Sequence, residues 1–408
     1  FEVLFLLENI ECVIMNEDKF KKIVSHAKEF GFVFPSSEIY DGLSATYDYG
    51  QNGVELKNNI KKYWWKSMVQ MNKDIVGLDA AIFMHPTTWK ASGHVDAFND
   101  PLIDNRDSKK RYRADVLIED HISRIQDKNE KDISKARKRF GESFDQETFI
   151  STNPNILRRN KQIQEINHKM SDALNSENLN DIYNLIIELG ISCPISGSKN
   201  WTDVRQFNLM FGTELGSLAQ DSSTIYLRPE TAQGIFVNYL NVQKTGRKKL
   251  PFGIAQIGKA FRNEIIARNF IFRTREFEQM EMQYFVKPGN DDNSMIDWKN
   301  KRIKFYENTL NINNSNLRFH EHNKNELAHY AKEAWDIEYH FPFGWSEIEG
   351  IHNRTDYDLS QHEKFSGKNL SYFDQPNNER FLPYIIETSA GLNRMLLTVL
   401  VDAYWEDI

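Results

Sequence analysis

Arg262, Arg268, Arg273 and Arg275 fall in one short stretch, FRNEIIARNFIFRTREFEQMEMQY, residues 261–284. Guanidinium forks match phosphate oxygens two at a time and do not lose their charge at any physiological pH. The acidic residues that follow, Glu276, Glu278 and Glu281, cannot serve a phosphate. They suit a metal, an ammonium or the amino group of a base. A ligand with a phosphate end and an amino end would satisfy both sets. The same interleaving of Arg and Glu also describes a solvated, salt-bridged hairpin, so the stretch does not decide alone.

The element that must carry these groups is legible from periodicity. Phe277, Gln279, Glu281 and Gln283 alternate with Glu278, Met280, Met282 and Tyr284, a period of two that predicts a strand. Residues 251–261, with Ile254, Ile257 and Phe261 among small side chains, predict its antiparallel partner, and the arginines then occupy the connecting loop. Upstream, RPETAQ (residues 228–233) puts Pro229 and Glu230 in the first turn of a helix, where a carboxylate meets favourable backbone charge. Plain helix capping explains Glu230 as well. Downstream, Trp345, Ile348 and Ile351 predict a strand flanked by Glu347 and Glu349, an acidic edge suited to a magnesium–nucleotide complex. Residues 384–397, YIIETSAGLNRMLL, predict a strand, a turn at Gly391 and a helix. Arg394 in the first turn of that helix opposes the macrodipole unless an anion lies near. His94 and Asp96, in SGHVDAF, lack further clustered ligands, which argues against a metal there.

The chain has 408 residues, 40% of them hydrophobic, enough for two or three domains and an ample core. Its net charge of -7 argues against a protein that coats nucleic acid without specificity. A local basic face remains compatible with that balance. Cys12 and Cys193 are too few for a disulfide framework or a thiolate zinc site, so a reducing cytoplasm is the simplest compartment. The apolar run over residues 1–15 carries Glu2, Glu8 and Glu11 and lacks a basic lead, so it reads as a poor signal peptide and as too short and too acidic for a membrane span. Met15, with the polar residues after it, reads as a natural start, and residues 1–14 as an extension. Residues 117–200 are charged and helical in rhythm, and are expected to form an inserted subdomain between core segments 15–116 and 201–408. The runs KARKRFGES and LRRNKQIQ there could meet RNA phosphates, although solvated helix faces commonly read the same way. Residues 290–335 predict a further polar, helical segment anchored by Trp298 and Phe305.

Four strings occur in order: RPETAQ, FRNE…RTREFEQME, EIEGI with NRTDYDL, and ETSAGLNR. Together they resemble the glycyl-tRNA synthetase family of class II aminoacyl-tRNA synthetases, in its single-chain, homodimeric form. The resemblance extends over nearly all of the chain from Met15 onward. It implies an α+β fold: a class II catalytic domain with an antiparallel β-sheet flanked by helices, and a helical or mixed insertion. It implies ATP-dependent activation of glycine and its transfer to tRNA(Gly), by a cytoplasmic homodimer using ATP and Mg2+, with no membrane partner. The family's motif 1 is matched by residues 48–65, with Gln51 where relatives usually carry proline.

Residue roles follow from the resemblance alone. It implies that Arg262 and Arg394 are the catalytic pair. Arg262 would hold the α-phosphate and the glycine carboxylate, and Arg273 and Arg394 the outer phosphates. Glu264 would take the adenine amino group and Phe277 its ring. Asn263, Phe272, Thr274, Glu347, Ile348 and Gly391 would complete the ATP site. Glu347 and Glu387 would place Mg2+. Arg113, Glu230, Gln279, Glu281, Glu387 and Ser389 would surround glycine. Some relatives carry a zinc knob bounded by cysteine pairs. Here those places read Asn105-Arg106-Asp107-Ser108 and a lone Cys193, so no structural zinc is expected. The family's C-terminal anticodon-binding domain is expected to be absent from this chain. Two alternatives are a non-catalytic, nucleic-acid-binding relative and a class II synthetase for another small amino acid. Retention of Arg262, Arg273 and Arg394 speaks against the first, and RPETAQ with ETSAG against the second.

Overall fold

The computed structural model describes residues 18–141, 144–176, 178–216, 223–265, 269–323, 327–328 and 330–406. Arg268 and the extension expected over residues 1–14 lie outside the described residues. The chain divides into two compact units, Phe1–Ala97 with Leu209–Ile408, and Phe98–Asn208.

The first unit is built on strands β1 (Ile75–Gly77), β2 (Phe252–Phe261), β3 (Glu276–Val286), β4 (Leu317–Glu321), β5 (Glu333–Phe341), β6 (Gly344–Thr355) and β7 (Tyr384–Gly391). They lie in the order β4-β5-β6-β7-β3-β2-β1. All neighbours are antiparallel except β1 and β2. The expected hairpin is present: β2 and β3 pair from Phe261 opposite Glu276 to Phe252 opposite Phe285. Helices α1 (Gln51–Trp65), α2 (Ala232–Thr245), α3 (Asp291–Lys304), α4 (Tyr357–Ser366) and α5 (Leu392–Ala403) accompany the sheet.

Alternation along β3 sorts its side chains into two environments. Met280, Met282 and Tyr284 share a core with Ile60 and Trp64 of α1, Trp298 of α3, and Met395 and Leu396 of α5. On the other face Phe285 packs with Phe252, Ile254 and Ile385 and with Ile235, Phe236 and Tyr239 of α2. Burying each large apolar side chain contributes on the order of 1.5–3 kcal/mol, so both faces are anchored. The second face is apolar only near Phe285. Toward Phe277 it carries Gln283, Glu281 and Gln279, groups that are costly to bury without partners.

A one-residue irregularity in β6 shapes the same face. Ile337 of β5 pairs with Glu349 and Glu338 pairs with Glu347, so Ile348 has no opposite residue. Such a bulge reverses the alternation of the strand. Glu349 and Glu347, which a regular strand would aim to one side, are sent apart. Glu349 is buried and receives both Arg302 Nε and Nη2, at 2.5 and 3.0 Å. Glu347 stays 47% exposed.

Residues 290–335 depart from the helical segment expected. The long helix ends by Thr309, only a short 3-10 turn follows at Asn314–Asn316, and Leu317–Glu321 forms the edge strand β4. Leu317 and Phe319 pack inward and alternate with Arg318 and His320, a strand period that the polar composition concealed. Helix α2 begins at Ala232 behind Thr231, so Pro229 and Glu230 precede it and do not occupy its first turn.

The second unit holds strands Asn99–Asp104, Arg111–Arg113 and Arg205–Asn208 and the long helices Ala114–Phe140, Pro154–Asn175 and Leu179–Glu188. Asn153 caps the second helix by accepting from the N–H groups of Asn155 and Ile156, with Pro154 at its first position. Ile118, Ile122, Ile125, Ile166 and Leu185 form the shared core. The unit starts before residue 117 because Asn99–Asp104 pairs with both Arg111–Arg113 and Arg205–Asn208. Cys193 lies here, its Sγ 3.2 Å from Tyr112 Oη and 3.4 Å from Ser108 Oγ.

Candidate active site

The polar end of the sheet lines up in rows across its strands. Glu281 of β3 faces Ser389 of β7, which faces Gly350 of β6. Gln283 faces Glu387, which faces His352. Residues in register share one face, so three strands present a continuous polar floor. Arg262 follows β2 directly, Arg273 precedes β3, and Arg394 stands in the first turn of α5. All three border one cavity of about 200 Å³. Glu264, Phe272, Thr274, Phe277, Glu347 and Gly391 border it too, as do Glu230, Gln279, Glu281, Glu387 and Ser389.

Three residues of the expected site do not border the cavity. The Asn263 N–H donates to the Leu209 carbonyl at 2.8 Å. The Ile348 side chain belongs to the core, where the bulge sends it. Arg113 belongs to the second unit, where Asp115 meets it at 2.6 Å and Asp100 at 3.1 Å. The cavity also has walls that sequence reasoning did not single out: Ile271, Tyr330, Gly350, His352, Arg354 and Asn393. Arg354 lay within the NRTDYDL string, four residues before Asp358. Nothing in the sequence marked Tyr330.

The arginines are held by backbone carbonyls as well as by charge. Arg394 Nη1 donates to the carbonyl and to Oε2 of Glu347, both at 3.0 Å, and Nε donates to the Phe272 carbonyl at 3.2 Å. The anion that the helix position called for is thus Glu347. Burial opposes ionisation of Glu347, but Arg394 outweighs it and holds the carboxyl below its ordinary range. Arg262 Nε donates to the Pro229 carbonyl at 3.0 Å, and its guanidinium lies 5.3 Å from the Phe277 ring centroid. Arg275 Nε donates to the Glu264 carbonyl at 3.0 Å, tying the two ends of the arginine loop together.

A network of carboxylates fills the rest. Gln283 Nε2 donates to Glu281 Oε1 at 2.8 Å and to Glu387 Oε2 at 2.6 Å, and the Thr231 hydroxyl donates to the second oxygen of Glu281. Arg354 Nη1 donates to Glu387 Oε2 at 3.0 Å, while its Nε and Nη2 grip Asp358 at 2.7 and 2.9 Å. His352 Nδ1 lies 3.0 Å from Glu387 Oε1, at an angle outside that of a hydrogen bond. Burial opposes the charge of Glu387, but Arg354 and then His352 hold its carboxyl far below the usual range. Glu281 moves the other way: burial, then Glu387 and Glu230, push it well above that range. Glu230 is opposed by burial but brought down to about 2 by His94, Arg354 and the Gln233 amide. Two carboxyls that favour the ionised form and a third that resists ionisation therefore surround a hollow that suits a small cation.

Among the described residues no group of three or more His, Cys, Asp or Glu side chains is placed to hold a metal ion. Glu387 does not fit the metal role expected of it, because Arg354, Gln283 and His352 already meet its two oxygens. Glu347 does fit, being half exposed at the cavity. A larger hollow of about 810 Å³ lies within the second unit, bordered by Arg124, Lys128, Arg158, Arg159 and Lys169. It contains none of the four strings, and the reactive site is assigned to the smaller cleft.

The fold and cleft are those of a class II aminoacyl-tRNA synthetase. The family model of the tRNA synthetase class II core domain (G, H, P, S and T) matches residues 213–403. Solved prolyl-tRNA synthetases share the fold: that of Giardia lamblia in complex with prolyl-adenylate (TM-score 0.56, 13% identity) and that of Cryptosporidium parvum complexed with L-proline and AMP (0.52, 9%). The matches take in 96% and 95% of this chain but 52% and 53% of those, so it spans about half of either. The family model of the glycyl-tRNA synthetase insertion domain 1 matches residues 100–209. Glycine--tRNA ligase of Chlorobaculum tepidum is 51% identical over 388 residues, covering 95% of this chain and 76% of that protein. Those of Macrococcus caseolyticus and Staphylococcus haemolyticus are 49% and 50% identical, covering 96% and 94% of this chain and 76% and 74% of theirs. The chain belongs to the glycyl-tRNA synthetase family.

Proposed function

We propose that the chain joins glycine to the α-phosphate of ATP and passes the glycyl group to the 3′ end of tRNA(Gly). One observation carries this reading: Arg262, Arg273 and Arg394 meet Glu230, Glu281 and Glu387 at a single cleft, in a chain half identical to glycine--tRNA ligases over nearly all its length. In the first step a glycine carboxylate oxygen attacks the α-phosphorus and the bond to pyrophosphate breaks. In the second, a terminal ribose hydroxyl of tRNA attacks the glycyl carbonyl and AMP leaves. Neither step needs a side-chain nucleophile. The chain's work is to hold the reactants in line and to meet charge as it develops.

In this reading Arg262 takes the α-phosphate and the glycine carboxylate, and Arg273 and Arg394 take the outer phosphates. Glu264 receives the adenine amino group and Phe277 its ring. Glycine's ammonium enters among Glu230, Glu281 and Glu387, near Gln279 and Ser389. Glu281 releases its proton as the cation arrives. Support for the size limit comes from the packed floor: a Cβ on Gly350 would lie 3.0 Å from His352 Nε2. Glu347 would hold an Mg2+ ion brought in with the nucleotide. When bound it neutralises phosphate charge.

The basic hollow of the second unit supports contact with tRNA phosphates, which attract clustered Arg and Lys. Homodimer formation is supported by Ile39, Tyr40 and Leu43, which stand 88%, 80% and 58% exposed; light scattering tests it. Among the described residues no helix is long and apolar enough to cross a membrane, which is compatible with a cytoplasmic site of action.

Glycine-dependent exchange of pyrophosphate into ATP, run beside alanine and serine, tests the central reading. Exchange with glycine alone is expected. Exchange with none of the three, or equally with all, would remove it.

A further inference from the structure

His94 stands beside the cleft and is not among the residues that border it. Gly93 turns the chain with φ 82, a left-handed conformation that favours glycine, and so delivers His94 to the start of a short helical turn. The imidazole is fixed on several sides. Its Nδ1 lies 2.8 Å from Ser92 Oγ. The buried Trp89 meets its ring edge-on, with centroids 5.6 Å apart. Its Nε2 is 3.5 Å from Glu230 Oε2, and both side chains are largely buried, 14% and 16% exposed. The other oxygen of Glu230 accepts from Gln233 Nε2 at 2.9 Å, and Gln233 Oε1 lies 2.8 Å from His362 Nε2. Glu230 is therefore met at both oxygens, by His94 directly and by His362 through Gln233.

An ammonium ion is recognised by carboxylate oxygens at fixed positions. In a buried site a carboxylate free to rotate loses much of that recognition. Glycine offers no side chain through which a misplaced contact could be recovered.

We propose that His94 is a positioning residue for amino-acid recognition, fixing the Glu230 carboxylate so that it is aimed at the ammonium group of glycine. The inference rests on the functional reading above, in which Glu230 faces that ammonium. His94 touches neither glycine nor ATP. Its removal therefore acts on the glycine term of the reaction and leaves the nucleotide term alone. A histidine that merely filled the core would not divide the two substrates in this way.

The test measures KM for glycine and for ATP separately in the exchange assay, for the wild type and for His94→Ala, His94→Gln and Ser92→Ala. Loss of a charge-assisted contact predicts a glycine KM raised at least about tenfold in His94→Ala, with ATP KM within about twofold of wild type. Gln can still donate an N–H toward Glu230, so His94→Gln should recover most of the loss. Ser92→Ala, which only loosens the ring, should give a smaller shift of the same sign. An unchanged glycine KM in His94→Ala overturns the proposal while the functional reading stands. Equal increases for both substrates overturn it too, since they mark general damage. If His94→Ala does not fold, Ser92→Ala decides: a raised glycine KM with ATP KM unchanged supports the proposal, and a wild-type glycine KM or equal increases for both substrates counts against it. A wild type without glycine-dependent exchange overturns the functional reading, and this inference with it.

Discussion

Arg394 Nη1 sits 3.0 Å from Glu347 Oε2, a contact that joins the first turn of α5 to the bulged part of β6 across the mouth of the cleft. The pair is half open to solvent, so it adds little to stability, within about 1 kcal/mol. In the proposed reaction its value is in catalysis. Arg394→Gln should lower kcat/KM for glycine-dependent exchange by on the order of 100-fold, as expected for a preorganised donor, with a nearly unchanged melting temperature. A melting temperature that drops while exchange is spared would contradict this assignment.

Glu281 makes a signed prediction about pH. Its folded-state carboxyl is raised by burial and by Glu387 and Glu230. Above the ordinary glutamate range the folded chain keeps a proton that the unfolded chain has lost, so stability falls as pH rises toward the raised value. In Glu281→Gln that contribution to the slope disappears. Melting temperature measured between about pH 5 and 8 should decline less steeply in the variant than in the wild type. Parallel slopes would mean that Glu281 is ionised in the folded chain.

Glu230 behaves in the opposite sense. Its carboxyl is held down to about 2 in the fold, against an unfolded value near 4.3. Its contribution is present above the unfolded value and is lost as pH falls toward 2. The difference corresponds to about 3 kcal/mol. Glu230→Gln should flatten the acid limb of a stability-against-pH curve and weaken glycine binding at neutral pH. Calorimetric titration of glycine reads the second effect; binding as tight as wild type would speak against the role.

Arg302 and Glu349 form a pair that is almost wholly buried, at 3% and 0% exposure. Removing one partner strands a charge in the core. Arg302→Met should cost about 3–5 kcal/mol in denaturant unfolding. Replacing both, as Arg302→Met with Glu349→Leu, should recover much of that loss. A double variant as unstable as the single one would show that shape, and not charge, governs the site.

Much of the site could be read from residue order because its strings lie on short, regular pieces of backbone. The period of two along β3 placed Gln279 and Glu281 on one face and Met280 and Met282 on the other, as the cleft and the core now divide them. Arg394 attracted notice because its charge opposed its helix, and the structure supplies the opposing acid. What stayed hidden was set by distant pairing. Ile348 looked like a ligand contact and Glu349 like a second acid of the cleft, because a bulge is invisible without its partner strand. His352 and Tyr330 had no local pattern, since their proximity to Glu387 arises only when strands far apart in sequence align. The edge strand Leu317–Glu321 was concealed by its polar surroundings.

The unmatched Ile348 lets one strand serve two masters. At Glu349, just beyond it, the strand answers to the interior, where an error costs folding. Before it, at Glu347, it answers to the chemistry, where an error costs rate. Were the strand regular over these same residues, without the irregularity at Ile348, the two acids, two positions apart, would turn to the same side, and either Arg302 would be deserted or the cleft would gain a charge it has no use for.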